Sequence, residues 1–446
     1  MENSKESVIY DLVGVGCGPS NLALAIALDE KKERYQALNA VFLEKQASYC
    51  WHGNTMTSQS DLQISFLKDL VSLRSPTSPF SFINYLHAHG RLVDFINLGT
   101  FYPSRLEFND YLCWVARHFS RQCCYGEEVI SIVPVISHGE VKTLNVLSCD
   151  SHGKKTVRET RSLVVSAGGS PNIPEIFQRC GTDKRIFHHA HYLSAMTDIK
   201  QSGIAPLRVA IVGAGQSAAE VFLDLDNNYP SAKVDLITRS FSLKPADSSP
   251  FVNEVFAPAA TDLVFKQSSA EREQWLREYR HTNYAAVDMP MIEQIYRILY
   301  KQKVSGVIRH SFRSSSVIDG VNTTNKCVEL SINNLATGAR EHHEYDVVIL
   351  ATGYQRQKHR ELLAPLGEFM NGCEVDRNYQ VKMRENFHVP IFLQGYCEST
   401  HGLSDTLLSV LAIRSDEISS SLYALLGKAR HNSKTSTHNL DAIELL

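Results

Sequence analysis

Residues 10–28, YDLVGVGCGPSNLALAIAL, decide the fold. The run 8–13 is apolar and β-branched and leads directly into Gly14, Gly16 and Gly18. The alanine-rich run 22–28 suits a helix lying close on a sheet, and 41–44 reads as the next strand. Strand, glycine turn, helix, strand is the opening of a βαβ unit. A pyrophosphate needs backbone N–H groups and a helix N-terminus, and glycines let the backbone approach it with no Cβ in the way. Gly14 and Gly16 fill the first two positions of G-x-G-x-x-G, and Pro19 takes the third. A proline is tolerated there because its missing N–H would have no partner in the first helical turn. Glu44, at the tip of the following strand, can accept hydrogen bonds from a ribose, which suits an adenosine without a 2′-phosphate, such as that of FAD.

The same grammar returns about 200 residues later. A buried-strand pattern at 207–212 runs into VGAGQSAAE (212–220), where Gly213, Gly215 and Ala218 fill the three positions. A helical run, 218–225, and a strand, 234–238, follow. This strand ends at Thr238 and Arg239, a cation where the first unit has an acid, so a 2′-phosphate and hence NADPH is favoured. Either motif alone also fits a tight turn in any α/β protein; the pair, with opposite charges at the strand tips, is far more selective. Two further runs, SLVVSAGG (162–169) and DVVILATG (346–353), end in small residues that let backbone pass close to a ligand.

These patterns predict an α/β fold with two Rossmann-like dinucleotide-binding domains, for FAD and NADPH, and a smaller, mostly helical substrate-binding region. The expected boundaries are 1–195 with 345–427 for the FAD domain and 205–344 for the NADPH domain. A helical insertion is expected around 250–305 and a flexible tail over 428–446.

Composition excludes several classes. A formal net charge of −3 offers no basic surface for nucleic acid. No stretch approaches the roughly 18–20 apolar residues of a membrane helix, and the N-terminus lacks the pattern of a cleaved leader. The ten cysteines include no C-x-x-C pair, which predicts reduced thiols in a cytoplasmic protein and no metal site. His188, His189 and His191 have no carboxylate or cysteine beside them and read as a domain joint rather than a metal centre. A disulfide reductase would need a cysteine pair beside its flavin, whereas a monooxygenase leaves the oxygen chemistry to the cofactor. An idle scaffold that kept the fold would not need both glycine turns and Arg239.

The chain resembles the ornithine/lysine N-hydroxylase family of flavin-dependent monooxygenases. The stretches that carry the resemblance include WHGNT (51–55), LQISFLKDLVSLRSPTSPFSFINYL (62–86), GTFYPSRLEFNDYL (99–112), KPADSSPFVNEVFAP (244–258), ATGY (351–354) and HGLSDTLLSVL (401–411), besides the two glycine motifs. For the flavin, the resemblance implies the first glycine turn, Glu44, Trp51, His52, Gln63, Val129, Thr406, Leu407 and Leu408. A helix start at Asp405 and Thr406 would turn N–H groups toward the flavin carbonyl edge. For NADPH it implies Ala214, Gly215, Gln216, Ser217, Arg239, Asn283 and Tyr284; some relatives carry a lysine where this chain has Thr282. For the amino-acid substrate it implies Lys68, Asn253, Glu254, Val255, Phe256, Asn283 and Ser409. Lys68 would meet a carboxylate, and the Asn253 amide can both donate and accept.

The reaction so implied is oxidation of the side-chain amine of L-ornithine to N5-hydroxyornithine by FAD, NADPH and O2 through a C4a-hydroperoxyflavin, for hydroxamate siderophores. L-lysine, or a diamine such as putrescine, is the alternative substrate. A free alkyl amine has a pKa of about 10, so the site must bind or create its neutral form. Asn283 could accept a hydrogen bond from that amine, as the one candidate for a direct part in the chemistry. Relatives of this kind occur as monomers and as homo-oligomers (tetramers).

Overall fold

The computed structural model describes residues 8–441, apart from 59, 182, 202 and 204–206, and the side chains up to 427. Two five-stranded sheets organise it. The first takes β1 (Leu12–Val15), β2 (Ala40–Glu44), β3 (Cys123–Tyr125), β4 (Leu163–Val165) and β10 (Ile391–Leu393), in the spatial order β10-β4-β1-β2-β3. The second takes β5 (Ile186–His188), β6 (Arg208–Val212), β7 (Lys233–Ile237), β8 (His310–Arg313) and β9 (Val347–Leu350), in the order β5-β9-β6-β7-β8. Every pairing within both sheets is parallel. The central strands are apolar along their whole length, as strands covered on both faces must be; all residues of β1, β4, β9 and β10 are buried.

Each sheet receives a helix directly from its glycine turn. α1 (Pro19–Lys31) follows β1, and α3 (Gln216–Asn228) follows β6. α1 is buried from Asn21 to Leu28 because the sheet covers one side and the long α4 (Leu411–Asp441) the other. Each domain inserts a three-stranded antiparallel meander, at 127–160 between the third and fourth strands of the first sheet and at 316–345 between the fourth and fifth of the second. The two halves are thus built on one plan.

The structure moves the expected boundaries. β5 and β9 lie in the second sheet, although 186–188 and 347–350 fall in segments expected in the first domain. Sheet hydrogen bonding decides this: β9 pairs along β6 from Val209↔Val347 to Val212↔Leu350. The chain crosses where Ser170–Pro171 and Tyr354–Gln355 pair antiparallel, a two-strand joint between the domains. The expected tail is, up to Asp441, a continuation of α4, and 442–446 lie outside the described residues. The helical insertion divides its allegiance. Pro258–Lys266 and Ser269–Tyr279 pack on the short helix Glu398–His401 of the first domain, while Met289–Ser305 packs on α3.

Candidate active site

The first glycine turn is shaped to take a diphosphate closely. Gly16 sits at φ +85°, and a Cβ there would lie 2.6 Å from the Ser166 carbonyl oxygen, in the SAGG turn that follows β4. Gly18 has open space where a Cβ would go, and α1 begins there without a side-chain cap, so its first N–H groups face that space. The buried amide of Asn21 fastens the loop from beneath, donating to Gly16 O at 2.7 Å and Val15 O at 3.3 Å. Gln394 donates in turn to Asn21 Oδ1 at 3.0 Å. Glu44 is oriented by the N–H groups of Cys17 and Gln46, each at 3.0 Å, and keeps lone pairs for a ribose. These features fit the ADP half of FAD.

The second turn fits NADPH by the same test. A Cβ on Gly213 would lie 2.3 Å from Ala351 O, and α3 starts uncapped at Gly215, followed by Gln216 and Ser217. Arg239, just past the end of β7, is exposed and has no hydrogen-bond or ion-pair partner among the described residues. Thr282, which stands where some relatives have a cation, is buried, and its hydroxyl donates to Tyr279 O at 2.7 Å. Arg239 is therefore the cation this cradle presents.

The two domains meet around Asp288. Gln63, on the first domain, donates to Asp288 Oδ1 at 3.1 Å, and Gln216, at the head of α3, donates to Asp288 Oδ2 at 3.0 Å. Tyr284 donates a short hydrogen bond to Glu398, and Arg280 lies over its ring at 5.4 Å. Burial and the neighbouring Glu398 push the Tyr284 phenol up to about 12. His52 (φ +56°) is exposed as a residue, yet the protein packed around its ring and then the charges of Arg105 and Arg356 push it down to about 4, so it is neutral at pH 7. Trp51 stands edge-on to Phe108 with centroids 5.7 Å apart, and its backbone N–H donates to Asn109 Oδ1 at 2.8 Å. Val129 is buried in the meander beside β2.

Three segments expected to hold substrate converge here. The 3-10 turn Phe66–Lys68 packs on the turn Leu408–Val410, and the turn Glu254–Phe256 packs on Leu403–Thr406. Lys68 is half-buried; burial holds its ammonium below the usual range, and Glu254 opposes that. Ser409 is 2% exposed and its hydroxyl has no partner among the described residues, a buried polar group that a ligand would satisfy. Val255 is buried, Phe256 is half-buried, and Glu254 and Asn253 are exposed. The Asn253 amide donates to Ser248 O at 3.0 Å within its own turn, leaving its carbonyl oxygen for a ligand. Asn283 closes a 3-10 turn, its backbone N–H donating to Arg280 O at 3.3 Å; it is half-buried, and its side-chain amide bonds to no described residue.

One local expectation fails. The long helix does not start at Asp405 and Thr406: residues 403–406 and 408–410 form two 3-10 turns around an extended Leu407, and α4 begins at Leu411. Asp405 caps nothing, because its carboxylate holds the buried Arg414 at 2.8 Å and the Cys397 N–H at 2.6 Å. Sequence reading also passed over Arg356, which reaches Thr406 O at 3.3 Å, and over the pair Arg105 and Glu220. Charge patterning gave no signal for them, since the partners lie far apart in the chain. A surface cavity of 460 Å³ bounded by Asp226, Glu293, Arg297 and Lys301 lies on the second domain, and none of the expected site residues lines it.

Residues 8–356 match the family model described as L-lysine 6-monooxygenase/L-ornithine 5-monooxygenase. The chain is 55% identical over 417 residues to an L-ornithine N(5)-monooxygenase of Pseudomonas aeruginosa, covering 94% of each. The solved ornithine hydroxylase from that organism superposes with a TM-score of 0.91, over 94% of this chain and 100% of that one. An ornithine N-hydroxylase from Kutzneria sp. 744, solved with reduced FAD, NADP+ and L-ornithine, is 36% identical and superposes with a TM-score of 0.86 over 93% of this chain and 99% of that one.

Proposed function

This chain belongs to the L-lysine 6-monooxygenase/L-ornithine 5-monooxygenase family, and on that premise we propose that it hydroxylates the side-chain amine of L-ornithine to N5-hydroxyornithine with FAD, NADPH and O2. The product is the kind of hydroxylamine from which hydroxamate siderophores are built. The observation that supports the site assignment is the packing of the turn ending at Lys68 and of the 254–256 turn on the segment 403–410, which carries the unpartnered buried hydroxyl of Ser409.

Bound FAD supplies hydride acceptance from NADPH and the activation of O2; the chain supplies position and dryness. Gly14, Gly16, Gly18 with Pro19, and Glu44 hold the ADP end of FAD, with Trp51, His52, Gln63, Val129 and residues 406–408 along the rest. Ala214, Gly215, Gln216, Ser217 and Arg239 hold NADPH, with Tyr284 beside the nicotinamide nucleotide. Lys68 binds the substrate carboxylate, and Asn253 meets the α-amino acid head. Asn283 and Ser409 orient the amine. Desolvation in the site favours the neutral, nucleophilic form of that amine. The ten cysteines are free thiols, which supports a cytoplasmic enzyme.

NADPH-driven hydroxylamine formation measured with ornithine, lysine and putrescine tests the substrate. Ornithine should give the highest kcat/KM, and an equal or higher value for either competitor ends the ornithine reading. Lys68→Ala should raise the ornithine KM roughly 10- to 100-fold, as expected for a lost charge-assisted hydrogen bond, while NADPH still reduces the flavin. Unchanged ornithine affinity would show that Lys68 is not the carboxylate partner.

A further inference from the structure

We infer that Glu220, gripped by Arg105 across the domain interface, is a positioning residue that holds the NADPH cradle in register with the strap carrying Gln63 and Lys68, an inference that rests on the hydroxylase reading above.

Glu220 lies one turn into α3, on the second domain, and is 3% exposed. Its Oε1 accepts from Arg105 Nη2 at 2.8 Å and Gln216 Nε2 at 3.1 Å; its Oε2 accepts from Arg105 Nη1 at 2.9 Å and Ser60 Oγ at 3.2 Å. Arg105 and Ser60 belong to the first domain. A two-pronged guanidinium–carboxylate pair fixes direction as well as distance. Burial works to raise the Glu220 carboxyl, and Arg105 with the other donors opposes it. A buried charge with four donors is not a surface ion pair of small effect.

Both ends of the pair lead to the cofactors. Gln216 follows Gly215 in the NADPH turn; its second amide proton goes to Asp288, its carbonyl accepts the Asp288 N–H at 2.9 Å, and Asp288 holds Gln63. Arg105 opens α2 (Arg105–His118), and its backbone N–H donates to Ser60 O at 2.8 Å. The strap that follows runs alongside 101–103, with Leu62 N–H to Pro103 O and Phe66 N–H to Phe101 O, both 2.9 Å. That strap carries Gln63 and ends at Lys68. One carboxylate therefore ties the head of α3 to residues facing flavin and substrate. If the tie loosens, the nicotinamide cradle and the strap lose their mutual registry, although each domain keeps its own core.

Glu220→Gln preserves shape and removes charge; Arg105→Lys preserves charge and removes the fork. Each variant, and Glu220→Asp as the conservative rescue, is assayed for bound FAD, for anaerobic flavin reduction by NADPH, and for hydroxylamine and hydrogen peroxide formed per NADPH. We expect FAD to be retained, flavin reduction to slow about tenfold, and a larger share of NADPH to end as peroxide, since small misplacements of reacting groups cost rate steeply. Glu220→Asp should recover part of both losses. FAD-loaded variants that reduce and couple like wild type overturn the inference. Variants that both lose FAD overturn it too, because the pair would then be supporting the first cradle alone. Wild type run in parallel separates the two readings. If it makes no hydroxylamine from ornithine, the functional reading fails, while the reduction rates still decide the role of Glu220.

Discussion

The two glycine cradles are built on one plan and secured differently. In the first, the residue that fastens the loop turns inward: Asn21 bonds the carbonyls of Val15 and Gly16 and is itself held by Gln394, just past the last strand of the same sheet. In the second, the residue at the corresponding position, Glu220, turns outward: it accepts from Arg105 of the first domain and from Gln216 of its own turn, which also reaches Asp288. The first loop is fastened within its own domain. The second takes its fastening from the apposition of the domains and is followed at the next strand tip by an exposed Arg239.

The largest test of that contrast is Gly16→Ala. It sets an alanine at φ +85° with its Cβ against the Ser166 carbonyl, at a cost of about 3 kcal/mol or more, so the protein should purify without its yellow colour. Gly18→Ala, where no protein atom meets the new Cβ and φ is ordinary, should melt like wild type yet hold FAD less tightly, because the added Cβ enters the space left for the diphosphate; melting temperature separates the two variants. Next is Asn21→Leu, which strands the carbonyls of Val15 and Gly16 and the Gln394 amide. We expect about 2 kcal/mol of lost stability and weaker FAD retention, with the NADPH KM of FAD-reconstituted enzyme unchanged, read by thermal melting and steady-state kinetics.

Arg239→Ala should do the converse, raising the NADPH KM about tenfold with kcat and flavin content kept and NADH use little altered. If NADPH and NADH suffer alike, Arg239 does not read the 2′-phosphate. The smallest effect should ignore the contrast. His401, 1% exposed and stacked on Tyr379 at 4.1 Å, is pushed down to about 4 by burial. The unfolded chain, with an ordinary histidine pKa near 6.5, takes up that proton more readily. The contribution of neutral His401 is therefore present above about pH 6.5 and is lost as pH falls toward 4. A His401→Phe variant should show a flatter decline of melting temperature between pH 7 and 5 than wild type.

What could be read from the sequence was local. Strand, glycine turn and helix sit within twenty residues of one another, so Gly16, Glu44, Gly215 and Arg239 announce their chemistry by spacing alone. The resemblance supplied Lys68, Asn283 and Ser409, which no local pattern singles out. What escaped was decided at long range. β9 reads equally well as a strand of either sheet, and only its hydrogen bonds to β6 assign it. Asp405 has the composition of a helix cap, but a buried arginine nine residues on claims its carboxylate. Arg105 and Glu220 look like ordinary members of amphipathic helices until the domains meet.

The strand order of the first sheet has a consequence for biosynthesis. β10, the neighbour of β4, leaves the ribosome more than two hundred residues after β4 does, behind the whole of the second domain. Until then the nascent chain must carry β4 as an unpaired edge, and residues 403–410 have yet to be made. The domain that begins second is therefore the first able to finish, and cofactor capture belongs to the final moments of translation.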